Sequence, residues 1–130
     1  MKQKLNLLMM LFSTLMMAQY TSVPDPNFES FLEARGMGDG VPNNGLVLTA
    51  NIENVTVLDA SMQVISDFTG IEDFVSLEGF EASFNNLTTL DVSQNKQLKT
   101  LICRANLLTS LTLDNPNLVN LVAYENYLSS

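Results

Sequence analysis

The feature that most constrains this chain is a repeat that runs from residue 55 to residue 128. Written in one phase, four segments share a template: VTVLDASMQVI (55–65), LEGFEASFNNL (77–87), LKTLICRANLL (98–108) and LVNLVAYENYL (118–128). Each carries apolar residues at offsets 0, 3 and 10, a small apolar residue at offset 5, and Asn or Gln at offset 8. Such a repeat predicts a stack of similar coils, because one short unit cannot bury its apolar face alone.

The segments between these four match the same template more loosely and vary in length. They are ISDFTGIEDFVSL (65–77), LTTLDVSQNKQL (87–98) and LTSLTLDNPNL (108–118). We assign the regular phase to short parallel strands and the irregular phase to the return of each coil, although the opposite assignment stays open. This phase predicts inward side chains at offset 3 and outward ones at offset 4, since side chains alternate along a strand. The offset-8 amide is expected to bond free backbone groups of its own turn and of the next coil.

Residues 1–18 have the three zones of a secretory signal peptide. Lys2 and Lys4 form a charged start, Leu5–Met17 is mostly apolar, and Ala18 offers a small residue before Gln19. The apolar run is too short for a transmembrane helix, which needs about 20 residues. We predict export with cleavage before Gln19, and no membrane insertion once the leader is removed.

Residues 19–54 read as an N-terminal cap for the first coil. After a short linker, Asp25 and Pro26 predict the start of a helix over about 26–35, with Gly36 at its end. Residues 36–45 are a loop by composition, and Leu46–Leu48 suits a short edge strand. Val at 41 and Pro at 42 do not fit an EF-hand calcium loop.

Composition excludes several classes of function. The net charge is −8, which argues against nucleic acid and anionic membrane surfaces as partners. The chain has no His, so general acid–base catalysis would depend on carboxylates. The carboxylates nearest to each other, Glu72 and Asp73, are neighbours in sequence and lie in the return phase. The single cysteine, Cys103, falls at a buried strand offset and is expected to be a small core residue. We expect no enzyme activity, no metal and no cofactor.

The motifs LTTLDVSQNKQLKTLICRANLLTSLTL and ISDFTGIEDF, together with the leader and PDPNFESFL, resemble secreted bacterial leucine-rich-repeat proteins. The resemblance is to the 21-residue nested class found in Bacteroidetes. It implies a right-handed solenoid over residues 55–130 with a concave strand face that binds protein, and it implies no catalytic residues. Because no second cap follows residue 128, we expect the repeats to be truncated at the C-terminus. Otherwise the uncapped coil should self-associate or meet a partner.

The resemblance and the predicted phase together suggest a binding site on the C-terminal half of the strand face. Exposed apolar residues beside Arg and Tyr are typical of interface hot spots. The candidate residues are Phe84, Ile102, Arg104, Val122 and Tyr124. The favoured function is a protein-binding module of a secreted or cell-surface protein, with an unknown protein ligand. Two alternatives stay open: a structural spacer within a larger adhesin, and glycan binding through Tyr124 and Asn120.

Overall fold

The computed structural model describes residues 17–129. Residues 1–16, which hold most of the predicted signal peptide, and residue 130 lie outside the described part. One helix, α1, spans Pro26–Glu33, and two short 3-10 turns span Thr49–Asn51 and Ile71–Asp73. The strands are β1 Tyr20–Ser22, β2 Leu46–Leu48, β3 Val57–Asp59, β4 Gly79–Glu81, β5 Thr89–Asp91, β6 Thr100–Ile102, β7 Ser110–Thr112 and β8 Asn120–Val122.

The main sheet is a parallel ladder in the order β3-β4-β6-β8. Val57 pairs with Gly79, Gly79 with Thr100 and Thr100 with Asn120, which are steps of 22, 21 and 20 residues. The side chains predicted to face inward are almost fully buried in three coils: Leu58, Phe80 and Leu101. The predicted phase is therefore confirmed. In the last coil the equivalent Leu121 is 45% exposed, because within residues 17–129 a single neighbouring coil packs against it.

The return segments carry a second sheet that the sequence did not predict. Strands β5 and β7 lie in these segments and pair in parallel, with Leu90 opposite Leu111. Leu87, Leu90, Val92 and Leu98 of the first such segment are buried. The core of the second and third coils therefore lies between two strand ladders, whereas the return of the first coil carries the 3-10 turn Ile71–Asp73 instead of a strand.

The offset-8 asparagines bond the preceding coil, and the expectation that they bond the next one is wrong. Asn85 Oδ1 accepts from the amides of Gln63 and Ile65, and its Nδ2 donates to the carbonyls of Ala60 and Ala82. Asn106 and Asn126 each accept from one amide of the preceding coil, that of Leu87 or Leu108, and donate to a carbonyl of that coil, that of Ala82 or Cys103. At offsets 5 and 7 the backbone amide of the earlier coil donates to a carbonyl of the later coil, as in Ala60 N to Glu81 O and Met62 N to Ser83 O.

The residue at offset 7 adopts a left-handed backbone in all four coils. Met62, Phe84, Ala105 and Glu125 have φ between 53° and 57°. In the first three coils this residue's amide donates to the offset-6 carbonyl of the next coil, as in Phe84 N to Arg104 O at 3.1 Å. Left-handed geometry costs an L-residue about 1–2 kcal/mol, so the hydrogen bond between coils offsets local strain.

The cap is built around α1 and the small antiparallel sheet β1-β2. Residues 20–22, expected to be part of a linker, form β1 and pair with Leu46–Leu48. Asp25 caps the helix as predicted, because its Oδ1 accepts from the amides of Asn27 and Phe28. The helix ends at Glu33, slightly earlier than the expected residue 35.

Aromatic rings join the cap to the first two coils. Phe28 of α1 meets Phe68 edge-on with ring centroids 4.8 Å apart, and Phe68 meets Phe80 of β4 at 5.0 Å. All three side chains are buried. The apolar end of the first coil is thus covered by the helix, as a solenoid needs for solubility.

Candidate functional site

The strand face consists of the outward side chains at offsets 2, 4 and 6 of β3, β4, β6 and β8 and of the residues that follow them. Because the four strands are in register, each offset forms a row that crosses the sheet with about 4.8 Å between neighbours. The offset-4 row contains Asp59, Glu81, Ile102 and Val122. The offset-6 row contains Ser61, Ser83, Arg104 and Tyr124, of which Ser83 is buried although the phase predicts an outward side chain. Two acidic residues therefore precede two apolar ones in the first row.

Arg104 is held between two aromatic rings. Its guanidinium carbon lies 4.6 Å from the centroid of the Phe84 ring and 5.5 Å from that of the Tyr124 ring. Its Nη1 also donates to the Tyr124 hydroxyl at 2.8 Å. A cation over a ring face is stabilised by about 0.5–1 kcal/mol at exposed positions. The side chain therefore has a preferred geometry before any partner arrives.

The structure brings all five predicted site residues onto one surface. Phe84, Arg104 and Tyr124 make the direct contacts described above. Ile102 and Val122 lie opposite each other in β6 and β8 and are half-buried. Phe84 and Tyr124 are 44% and 55% exposed, so their rings remain available to a partner. The sequence could predict this grouping because the repeat fixes both the face and the row of each residue.

The charges of the strand face are divided between its two halves. At offsets 4 and 6, Asp59 and Glu81 occupy the N-terminal half and Arg104 occupies the C-terminal half, while the exposed Glu125 follows Tyr124 at the exit of the last strand. The hydroxyl and amide of Ser61 hydrogen-bond to Asp59 and lower the pKa of its carboxyl, with a smaller contribution from the charge of Arg35. Asp59 therefore stays ionised at mildly acidic pH.

The edge of the strand face near the cap carries two exposed apolar residues that were not among the predicted site residues. Val57 and Met62 are 69% and 70% exposed. With Arg35 and Met37 they line a shallow groove between the end of α1 and the first coil. The exposed apolar surface thus extends from Tyr124 back toward the cap.

Cys103 lies inside the solenoid, below the strand face. It is a free thiol with no exposed surface, and burial raises the pKa of this thiol to about 11. A protonated, inaccessible thiol does not act as a nucleophile. Across residues 17–129, no cluster of three His, Cys, Asp or Glu side chains is arranged to hold a metal ion. No helix in the same range has the length and apolarity needed to cross a bilayer.

Comparison with known proteins finds a similar sequence and a similar solved structure. Internalin J of Listeria monocytogenes serotype 4b (strain F2365) is 36% identical to this chain over 72 residues, which are 55% of this chain. The solved structure of the functional domain of InlJ from Listeria monocytogenes matches with a TM-score of 0.59 and 29% identity over 85% of this chain. The chain has the fold of a leucine-rich-repeat solenoid. No protein-family model matches it.

The similarity covers only part of these relatives. The chain spans 8% of Internalin J and 30% of the InlJ domain structure. That domain is described as including a cysteine ladder. The present chain has a single cysteine, and the equivalent offset-5 positions of the other coils are Ala60, Ala82 and Ala123. The shared feature is therefore the coil architecture.

Proposed function

We propose that this chain is a protein-binding module that acts through the strand face. The observation that carries the proposal is the Arg104 side chain stacked between Phe84 and Tyr124, beside half-buried Ile102 and Val122. Arg, Tyr and Phe fixed in one cluster and bordered by apolar side chains are the composition of a binding hot spot.

The proposal includes a secreted or surface-exposed bacterial location. The charged, apolar and small-residue zones of residues 1–18 support export, with Gln19 as the first residue of the mature chain. The similarity to Internalin J supports a bacterial leucine-rich-repeat protein. The nested repeat and the leader favour a Bacteroidetes-type member of that group.

A binding role also accounts for the carboxylates better than an enzymatic role does. Of the adjacent pair in the return phase, Glu72 accepts from the amide of Gly70 and Asp73 accepts from the hydroxyl of Thr21. Glu72 therefore stabilises its own turn, and Asp73 joins the first coil to the cap. The absence of His from the sequence removes the commonest general base.

Site-specific photocross-linking tests the proposal. A benzophenone side chain replaces Tyr124 on the strand face, and a matched variant carries it at Thr112, which is exposed on the second sheet. Both proteins are irradiated on intact cells and on their secreted material. We expect a discrete cross-linked protein from the Tyr124 variant only. Equal products from both variants, or none from the strand face, would contradict the proposal.

Once a partner is cross-linked, alanine substitutions measure the contribution of the cluster. Arg104→Ala and Tyr124→Ala should each weaken binding by roughly 1–3 kcal/mol, while the folded structure stays unchanged. Partner binding equal to wild type in both variants would remove this cluster as the site.

A further inference from the structure

We infer that the partner presents a carboxylate next to an apolar side chain to the C-terminal half of the strand face, and a basic side chain to the N-terminal half. This inference rests on the proposed function and adds the chemistry of the partner. It is carried by the charges at offsets 4 and 6 of the strand face, which form no ion pair within residues 17–129, and by the order in which they occur.

The first step concerns the unused charge of Arg104. The two lysines of the described chain are ion-paired, Lys96 with Asp114 at 2.7 Å and Lys99 with Glu78 at 2.9 Å. Within residues 17–129, no carboxylate lies within ion-pairing distance of Arg104. A guanidinium has five N–H donors in a rigid fork, and the Tyr124 hydroxyl occupies one of them. The remaining donors suit a carboxylate, which arginine binds in two-point geometry.

The second step concerns the surroundings of Arg104. Ile102 lies two residues before it on the same face of β6, and Val122 lies opposite Ile102 in β8. A partner that brings a carboxylate to Arg104 therefore places the adjoining part of its chain over two apolar side chains. An apolar partner residue would bury that surface and exclude water from the ion pair, which strengthens the electrostatic attraction.

The third step concerns the opposite half. Asp59 and Glu81 precede Ile102 in the offset-4 row, so they lie about two and one strand spacings from it. One oxygen of each is bonded within its own strand exit, Asp59 Oδ1 by Ser61 and Glu81 Oε1 by the Ser83 amide. Among the described residues, the second oxygen of each accepts no hydrogen bond. Both carboxylates can therefore receive a basic side chain.

The order of charges also selects the direction of the partner. An extended segment advances about 3.3 Å per residue, so a few residues laid across the strands reach from Asp59 to Val122. In the reverse direction its carboxylate would meet Asp59 and Glu81, and like-charge contacts of this kind reject wrong partners. The strand face is therefore expected to discriminate between a sequence and its reversal.

A display selection with random twelve-residue peptides tests the inference on the full chain. Wild type and three variants are used as targets: Arg104→Gln, Arg104→Glu and Asp59→Asn. Lys96→Gln is the matched control, because it removes the same charge from the return side of the coil. Binding of the selected peptides is measured by fluorescence anisotropy at low and high salt.

We expect peptides in which an acidic and an apolar residue are neighbours and a basic residue lies several positions away. Their affinity should fall about 10- to 100-fold in Arg104→Gln, stay unchanged in Lys96→Gln and decrease at high salt. Arg104→Glu should select basic residues where wild type selects acidic ones. Asp59→Asn should reduce the preference for the basic residue.

Two results would overturn the inference, and they differ in what they say about the proposed function. Peptides that bind the strand face but carry no carboxylate, or that bind Arg104→Gln as well as wild type, contradict the partner chemistry alone. In that case Tyr124→Ala still weakens binding, and the proposed function stands. A selection that yields no peptide dependent on the strand face contradicts the inference, and photocross-linking at Tyr124 then decides the proposed function separately.

Discussion

Replacing Asn85 by alanine is the most informative test of how these coils are held together. The Asn85 side chain is 6% exposed and bonds five backbone groups of two coils. Alanine leaves the amides of Gln63 and Ile65 without an acceptor. Ile65 is fully buried, so water cannot replace the lost partner there, whereas Gln63 is half-exposed and can be hydrated.

The expected loss follows from these contacts. A buried backbone group without a partner costs about 1–3 kcal/mol. The buried Ile65 amide and the Ala60 carbonyl lose their partners, whereas the Ala82 carbonyl keeps the Nδ2 donor of Asn106. Two such groups give a loss of about 2–6 kcal/mol in the free energy of unfolding. This is a large share of the 5–15 kcal/mol that a domain usually has. Asn126→Ala, in the half-exposed last coil, should cost only about 1 kcal/mol.

Urea unfolding followed by circular dichroism measures both losses, since the chain has no Trp for fluorescence. Asn86→Ala is the matched control, because Asn86 is exposed and its side chain makes no hydrogen bond within the described residues. The control should change stability by less than about 0.5 kcal/mol. If Asn85→Ala behaves like Asn86→Ala, the side-chain ladder is not what joins the coils.

Three further substitutions test other parts of the fold. Phe68→Ala should lower the free energy of unfolding by about 3–5 kcal/mol, because the Phe68 ring joins the cap to the coils. Phe84→Ala, on the surface, should lower it by less than about 1 kcal/mol. Similar losses in the two variants would contradict the aromatic link. Cys103→Ala should remove an alkaline loss of stability. The pKa of this thiol is raised from 9.0 to about 11, so its contribution is complete below pH 9 and is lost as pH rises through about 11. A pH profile of unfolding that is unchanged by the substitution would refute that role. Ala105→Gly should raise the free energy of unfolding by about 0.5–1 kcal/mol, since glycine tolerates the left-handed backbone at this position. Ala82→Gly, at a buried position, should lower it. A loss of stability in both variants would show that the backbone at Ala105 is not strained.

The repeat determined how much of the fold could be predicted. Offsets 3 and 5 are defined by four copies, so the inward side of Leu58, Phe80 and Leu101 followed from periodicity alone. The second sheet did not, because three returns of unequal length leave its pairing undefined. The pairing of β1 with β2 also escaped prediction, since three-residue strands carry little pattern and lie far apart in sequence.

Parts of the cap were beyond prediction for a different reason. The loop at 36–45 is ordered by helix carboxylates: Glu29 accepts from the amides of Asn44 and Gly45, and Glu33 accepts from those of Asp39 and Gly40. Glu29 is buried in this role. Acidic residues in a helix usually read as a solvated face, and only the folded loop shows what they bind.

The sequence predicted which residues belong to the candidate site but not how their side chains are arranged. Register alone assigns Arg104 and Tyr124 to one row and Ile102 and Val122 to another. The stacking of Arg104 against Phe84 depends on side-chain rotamers and on the left-handed backbone at Phe84. Left-handed backbone is uncommon for residues other than glycine, so it cannot be predicted at a phenylalanine from the sequence. The left-handed position is a feature of the folded coils, and all four share it.

The asparagine ladder has a consequence for how such a chain can change in length during evolution. Each coil carries, in its own sequence, the amide that closes the turn of the coil before it. A duplication of one block of about 21 residues therefore inserts a new coil together with its own attachment, and a deletion removes both at once. The strand face can widen or narrow by one row at a time, without compensating substitutions elsewhere in the molecule.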